Sequence, residues 1–374
     1  MIRYMTGGES HGKCMLTILD GVPAGLRIDK SRIDEDLCRR MKGYGRGKRM
    51  KIERDAVEIL SGLRKSVTIG SPVSLMVKNV DQSIDRLPPV LSPRPGHADL
   101  AGALKYDLKD LRSVLERASA RETVARVAAG AVAKILLGEF GIRVASHVTV
   151  IGGVASQEKG LSFSQIVTVS ERSPVRCADP SASNSMCREI EKSLDAGDTL
   201  GGTFEVMIDG VPPGLGSYTQ WNKRLDANLA RAVMSIQAVK AIGFGIGFDM
   251  ARRRGSAVHD EIFYDKAEGF FRKTNNSGGI EGGMSTGETI IIQAVMKPIS
   301  TLMKPLSSVN IRTKKAVKAA VERSDVCAVP AAGVVGEAVA AIEIANAMCD
   351  KFGGDSVVEM KRNLKGYLEQ IKKF

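Results

Sequence analysis

Two histidines and several arginines are the residues best placed, by type and spacing, to do chemistry. His11 sits in Gly8-Glu9-Ser10-His11-Gly12, and His97 follows Arg94-Pro95-Gly96 with Asp99 close behind. Both lie in turns punctuated by Gly or Pro, and loops carried on a scaffold are where functional side chains concentrate. An imidazole in such a turn can give or take a proton near neutral pH. A hydrogen-bonded structural histidine is the plainer alternative, and it is the reading taken for His147 and His259, which lack such a setting. From Arg39 to Lys51 there are seven basic residues, no acid and three glycines. Arg39, Arg40, Arg46 and Arg49 therefore flank a glycine-rich turn, and the guanidinium fork matches carboxylate and phosphate. Arg117, Arg121 and Arg126 gather at the start of a predicted helix, whose N-terminus also favours anions. Arg323 occupies the corresponding place late in the chain, followed by Asp325. Singly each is an ordinary solvated charge; together they predict a pocket for a small molecule with several negative groups.

The glycine-rich run 275–283 offers main-chain N–H groups that a ligand can approach closely. No G-x-x-x-x-G-K-[ST] and no G-x-G-x-x-G occurs, which argues against P-loop and dinucleotide folds. The residues alone lead to an enzyme for a polyanionic small molecule, with His as acid or base. Their spacing does not specify the reaction.

The elements that must position these residues are repeated. Gly8–Leu26 and Gly197–Leu215 align without a gap, eight of nineteen positions being identical. Gly62–Met76 parallels Gly279–Gln293, and the Ala-rich stretch after Arg117-Ala118-Ser119 parallels that after Arg323-Ser324-Asp325. This order predicts two related α/β halves, about 1–150 and 190–350, in one duplicated domain. Strands are expected at Lys13–Val22 and Thr203–Val211, and helices at Ser31–Met41 and Leu225–Ala241. A capping box at Ser119–Glu122 should open a helix to about Leu137, with Pro330 in the first turn of its counterpart. Residues 157–196 read as an exposed connector, and Asp355–Lys373 as a solvated terminal helix. Within the repeat His11 lies opposite Leu200, so one copy has specialised.

Composition limits the class. Of 374 residues, 43% are hydrophobic and 26% charged, ordinary for a globular protein. No run approaches an uncharged membrane span, and six scattered cysteines without C-x-x-C pairs fit a reducing cytosol rather than a zinc or disulfide framework; no metal is expected. The net charge of +12 admits nucleic acid or a polyanionic substrate. A nucleic-acid groove interleaves aromatics, and the basic run has only Tyr44; a basic nucleic-acid-binding protein is kept as the alternative.

The motifs resemble the chorismate synthase family over nearly the whole chain: GESHG at 8–12, GYGRGKRMKIE at 43–53, RPGHADL at 94–100 and ERASARETVARVAAGAVAK at 116–134. GDTLGG at 197–202, SIQAVKAIGFGIGF at 235–248, TNNSGGIEGGMSTGE at 274–288, MKPISTLMKPL at 296–306 and ERSDVCAVPAAG at 322–333 continue the series. The resemblance implies a β-α-β sandwich with an internal pseudo-two-fold, a cytoplasmic homotetramer, and trans-1,4-elimination of phosphate from 5-enolpyruvylshikimate 3-phosphate. It implies reduced FMN as cofactor, without net redox change. It further implies that His11 protonates the departing phosphate, that His97 lies at the flavin N1/O2 edge, and that Asp325 works with flavin N5 on the ring proton. Flavin contacts carry over to Arg117, Ala118, Ser119, Gln237, Ala238, Gly282, Lys297, Pro298, Ile299, Ser300, Thr301 and Arg323. Gln237 stands where the family commonly has Asn. Arg40, Arg46, Arg49 and Arg121 are assigned to substrate or NADP. Some members reduce their own flavin with NADPH; without long insertions or a dinucleotide motif, this chain is expected to depend on an external flavin reductase, with no membrane or nucleic-acid partner.

Overall fold

Period-two alternation builds the first sheet. β1 (Arg3–Gly7) and β2 (Cys14–Asp20) pair antiparallel, with Met15, Thr17 and Leu19 of β2 turned inward and Leu16 and Ile18 outward. That is the pattern of a sheet covered on one face. The structure, a computed structural model, describes residues 1–47, 53–157, 160–266, 269–322 and 324–374. α1 (Lys30–Met41) starts at Asp29, whose carboxylate accepts the Ser31 N–H. β3 (Val57–Ile59), the small hairpin β4 (Leu63–Arg64) and β5 (Val67–Thr68), and β6 (Val73–Lys78) follow; the sheet order is β1-β2-β6-β3. Two short helices, α2 (Asp99–Tyr106) and α3 (Arg112–Ala118), precede the long, almost wholly buried α4 (Thr123–Gly138).

After β7 (Arg143–Ile151) and β8 (Val154–Ala155) come α5 (Phe163–Ser170) and α6 (Pro180–Asp195). The second half holds β9 (Gly202–Asp209), α7 (Leu225–Met234), β10 (Val239–Phe244), a hairpin of β11 (Ile262–Asp265) and β12 (Gly269–Arg272), a tight hairpin of β13 (Ile280–Glu281) and β14 (Met284–Ser285), and β15 (Ile290–Met296). β16 (Ser307–Val309) and β17 (Ala316–Lys318) form a ribbon before α8 (Val329–Phe352) and α9 (Val357–Ile371). The second sheet runs β10-β15-β9-β7-β8. α4 packs on β2 and β6, α8 on β7 and β9, and the two helices pack on each other, giving sheet, helices, sheet. Gly130 permits the closest approach: a Cβ there would lie 2.4 Å from the Ala338 Cα. α8 is long and apolar enough to cross a membrane by composition, but 83% of that window is buried inside the protein.

The two sheets share their topology and some side-chain contacts. β1-β2-β6-β3 and β7-β9-β15-β10 share order and pairing sense. The register agrees with the sequence alignment: Leu16 faces Met76, and the aligned Glu205 faces Gln293. β4/β5 and β13/β14 turn at aligned positions, Lys65-Ser66 and Gly282-Gly283, all four with positive φ. Thr68 Oγ1 accepts the Leu26 N–H (2.9 Å) and donates to the Pro23 carbonyl (2.6 Å). Its counterpart Ser285 Oγ does the same with Leu215 N–H (2.8 Å) and the Pro212 carbonyl (2.7 Å).

Three sequence expectations fail locally. The helix expected to Ala241 stops at Met234, where Ser235 Oγ bonds back to the Ala232 carbonyl and Ala238 takes φ +67°. The residues beyond it join the sheet as β10, where Val239, Ile242 and Phe244 suit a strand. The exposed connector is instead two helices with Arg176 and Cys177 buried between them; Asp179-Pro180, an N-cap followed by Pro at the first turn, marks the second. Ser119 caps a 3-10 turn at Ala120–Glu122 by accepting the Arg121 N–H, but no capping box closes. Glu122 turns away to Thr6, Arg126 and Gln237.

Candidate functional site

The His11 turn is pinned from three sides. Gly8 has φ +104°, and a Cβ there would sit 2.2 Å from the Cys14 carbonyl oxygen, so the turn requires glycine. Asn79, just past β6, donates its side-chain amide to the Glu9 (3.1 Å) and Gly12 (2.8 Å) carbonyls. From α3, the Glu116 carboxylate takes the His11 main-chain N–H at 2.8 Å and faces Nδ1 with both oxygens at 3.0 Å. Burial would raise the Glu116 carboxyl, but the hydrogen bonds from His11 outweigh it and hold the group below its ordinary range. Nε2 points the other way, 4.0 Å from the half-exposed Asp81. Nδ1 is thus the nitrogen by which Glu116 anchors this imidazole.

Next to it runs a buried row of arginines. Arg121 donates from Nε to Asn79 (2.8 Å), the residue that pins the His11 turn, and from Nη1 to Asp55 (2.7 Å). Asp55 also accepts from Arg40 (3.0 Å), and Arg46 pairs with Asp325 (3.3 Å), whose other oxygen takes the Gly47 N–H at 2.6 Å. Burial pushes the Arg40 guanidinium down to about 10; Asp55 opposes this, and the positive charges of Arg46 and Arg121 add to it. Three guanidinium groups thus sit close enough to repel one another. Arg40 Nε is buried without a hydrogen-bond partner among the described residues, and Arg121 Nη2 has only the Glu53 carboxylate at 3.6 Å; a buried donor left so is costly unless a ligand answers it. The His11 turn, Arg121 and Arg40 are therefore joined through Asn79 and Asp55, and Arg46 with its partner Asp325 lies near enough for its charge to act on Arg40. Arg49 lies outside the described residues.

The other basic residues are spent elsewhere, which corrects the single-pocket expectation. Arg39 forks to the fully buried Glu337 (2.7 and 2.9 Å), Arg126 is tied to Glu122, and Arg117 caps the Thr6 and Gly8 carbonyls. Within residues 39–47, Arg39, Arg40 and Arg46 are all paired to carboxylates. The glycine-rich loop is also closed: the N–H groups of Asn276 and Ser277 go to Asp260, and that of Gly279 to Asn275.

His97 belongs to a second cluster. Its Nδ1 lies 2.6 Å from the buried Asp99, which accepts a two-pronged contact from Arg94 (2.8 and 3.0 Å). Despite burial, which would raise it, Asp99 is held far below the usual carboxylate range by His97 and Arg94. Arg94 also donates to Thr301 Oγ1 (2.8 Å), while Lys297 and Ser300 both donate to the Gly96 carbonyl (2.9 Å each). The Lys297 N–H bonds the Ala238 carbonyl (2.9 Å), beside Gln237, whose amide reaches Glu122 and through it Thr6 and Arg117. Ser119 touches Ser10 (3.2 Å), Ile299 accepts from Thr199, Pro298 packs by Gly201, and Ala118 packs on a small cluster around Leu115. A path of contacts so joins most of the residues assigned to flavin. Among the described residues no contact joins Gly282, at the β13/β14 turn, to them, and Arg323 lies outside the described residues. The remaining set fits an anionic planar cofactor. Gln237 Oε1 is a buried acceptor without a partner, suited to a ring N–H. Burial and the neighbouring Lys240 lower the Lys297 ammonium, so an added anion there is welcome. No described contact links His97 to His11.

Sequence reasoning missed Glu116, Asp55 and Asn79. Glu116 was visible only as the letter before Arg117; its partner is 105 positions away. Among the described residues no cluster of three or more His, Cys, Asp or Glu is arranged to hold a metal.

The family model described as chorismate synthase matches residues 2–349. Over the full length of both chains, this chain is 54% identical to a chorismate synthase of Pelobacter propionicus and 52% identical to one of Geobacter metallireducens. A crystal structure described as chorismate synthase superposes with TM-score 0.83 at 40% identity, covering 100% of this chain and 99% of that one.

Proposed function

The chain belongs to the chorismate synthase family of lyases, and from that premise we propose that it eliminates phosphate from 5-enolpyruvylshikimate 3-phosphate to give chorismate, with reduced FMN bound. The observation that carries the proposal is the buried grouping of Arg121 and Arg40 on Asp55, near His11 and near Arg46 with its partner Asp325. Such a grouping suits a substrate bearing phosphate and carboxylates. His11 donates a proton from Nε2 to the departing phosphate, whose developing charge the arginines also meet. Asp325, oriented by Arg46 and the Gly47 N–H, takes up the ring proton at its carboxylate. Reduced FMN, when bound, supplies electron density to the substrate ring that no side chain can. Lys297, Ser300 and Thr301, with Gln237, Ala238, Arg117 and Ser119, hold it; His97, fixed by Asp99, supports its negative charge. Pro298, Ile299 and Ala118 shape the wall.

The same reading makes the protein one duplicated domain assembled as a cytoplasmic homotetramer. It works at the last step of the shikimate pathway, serving aromatic amino acid biosynthesis, with its flavin reduced by a separate enzyme. The test is His11→Ala under anaerobic conditions with reduced flavin. Turnover should fall by about 10²–10⁴, the share a general acid supplies, while the substrate and flavin still bind. Turnover near that of the unaltered protein would remove His11 from the mechanism.

A further inference from the structure

The His11 ring is held by Glu116, the first residue of the 116–134 stretch and one to which the sequence assigned no role. Glu116 is almost fully buried, its side chain 1% exposed, and its carboxylate is hydrogen-bonded to His11. Its carboxylate accepts two donors from the same residue, the main-chain N–H and the Nδ1 edge. Behind it Arg112 approaches at 3.8 Å, and Arg112 is itself tied to Glu322 at 2.9 Å. On the far side, Asp81 faces Nε2 at 4.0 Å. An acceptor-only carboxylate at Nδ1 admits a proton on that nitrogen in every charge state of the ring.

We infer that Glu116 is a positioning residue for proton delivery: it keeps His11 protonated at Nδ1, so that Nε2 is the nitrogen that gives its proton to the substrate. This rests on reading His11 as the acid. In the step, the C–O bond to phosphate breaks with its electron pair on oxygen, and the Nε2 proton passes to that oxygen. The ring left behind is the neutral Nδ1–H form, which is the form Glu116 already hydrogen-bonds. The turn therefore needs no rearrangement as the proton leaves, the arrangement by which preorganised sites avoid a reorganisation cost. A carboxylate that only anchored the main chain would need the N–H contact and not the ring contact.

Two measurements test this. Long-range proton–nitrogen NMR of the unaltered protein reports the tautomer of each neutral histidine; with four in the chain, His11→Ala identifies the His11 signals. The expected result is Nδ1–H for His11, and a predominantly Nε2–H ring overturns the inference without any need for a folded variant. Glu116→Gln then leaves one acceptor oxygen for two donors. It should shift the ring toward the Nε2–H tautomer and lower kcat about 10–10²-fold, part of what a general acid supplies, with KM for the substrate little changed. Unchanged kcat, or a fall in kcat with the tautomer unmoved, overturns it. If His11→Ala turns over normally, the reading of His11 as the acid fails, while the tautomer result still reports what Glu116 does to the ring.

Discussion

His11 and His97 are built alike: each ring rests its Nδ1 on a buried carboxylate, and each carboxylate is steadied by an arginine. The histidines themselves were legible because Gly and Pro mark their turns. Asp99 was legible too, two residues from His97. Glu116 and Asp55 were not, because an ion pair between distant segments leaves no local pattern. The arginines were over-read for the same reason. Arg39 and Arg40 are neighbours in sequence, yet one turns to Glu337 and the other to Asp55, and only the fold decides which is free for a ligand. Arg46→Ala should therefore weaken substrate binding by about 1.5–3 kcal/mol, the range for a hydrogen bond to a charged group. Steady-state KM and substrate titration measure it, with the exposed Arg188→Ala as control. Equal, small effects at both positions would make Arg46 an ordinary surface charge.

At the scale of elements, strands and caps were read well where local chemistry rules. β2, β9, α1 and α9 fall within a few residues of expectation. Errors arose where tertiary contacts override propensity, as where Ala238 breaks the helical run and the following residues enter the sheet. α1 shows how an element serves the site. Arg40 reaches Asp55 beside Arg121, while Arg39, one position earlier, locks the helix to Glu337 of α8 together with Lys134 and Arg176. Glu337 is fully buried, and although burial raises its carboxyl, the three cations hold it far below the ordinary value of 4.5. A carboxyl lowered in the folded state adds stability that is complete above the unfolded value and is lost as pH falls beneath it. Glu337→Gln leaves the cations without their shared partner and should cost about 3–5 kcal/mol at pH 7. Denaturant unfolding at several pH values should show the deficit narrowing below pH 4.5. A deficit independent of pH would show that the charge of Glu337 is not what the network uses.

For the whole molecule, the repeat was legible in the Gly-Val-Pro-x-Gly turns, in the stretches leading to β6 and β15, and in the Ala-rich runs of α4 and α8. The equivalence of β1 with β7 and of β3 with β10 left no trace in the letters, since a strand is specified by alternation that many residues satisfy. The two copies keep the Thr68 and Ser285 pins but differ at His11 and Leu200, which leaves the histidine in one half alone. Nothing in the repeat supplies a nucleotide-binding strand–turn–helix of the G-x-G-x-x-G kind. Oxidised FMN, substrate and NADPH, mixed anaerobically without another reductant, should accordingly yield no sustained chorismate. Continued product would reveal an intrinsic flavin reductase and reverse the expectation of an external one.

The most direct test of the account mixes the purified protein anaerobically with substrate and FMN reduced by dithionite, following chorismate, released phosphate and flavin oxidation state together. The account predicts chorismate and phosphate in equal amounts over many turnovers, none without reduced flavin, and no net flavin oxidation. Failure to form chorismate, or oxidation of one flavin for each phosphate released, would contradict it.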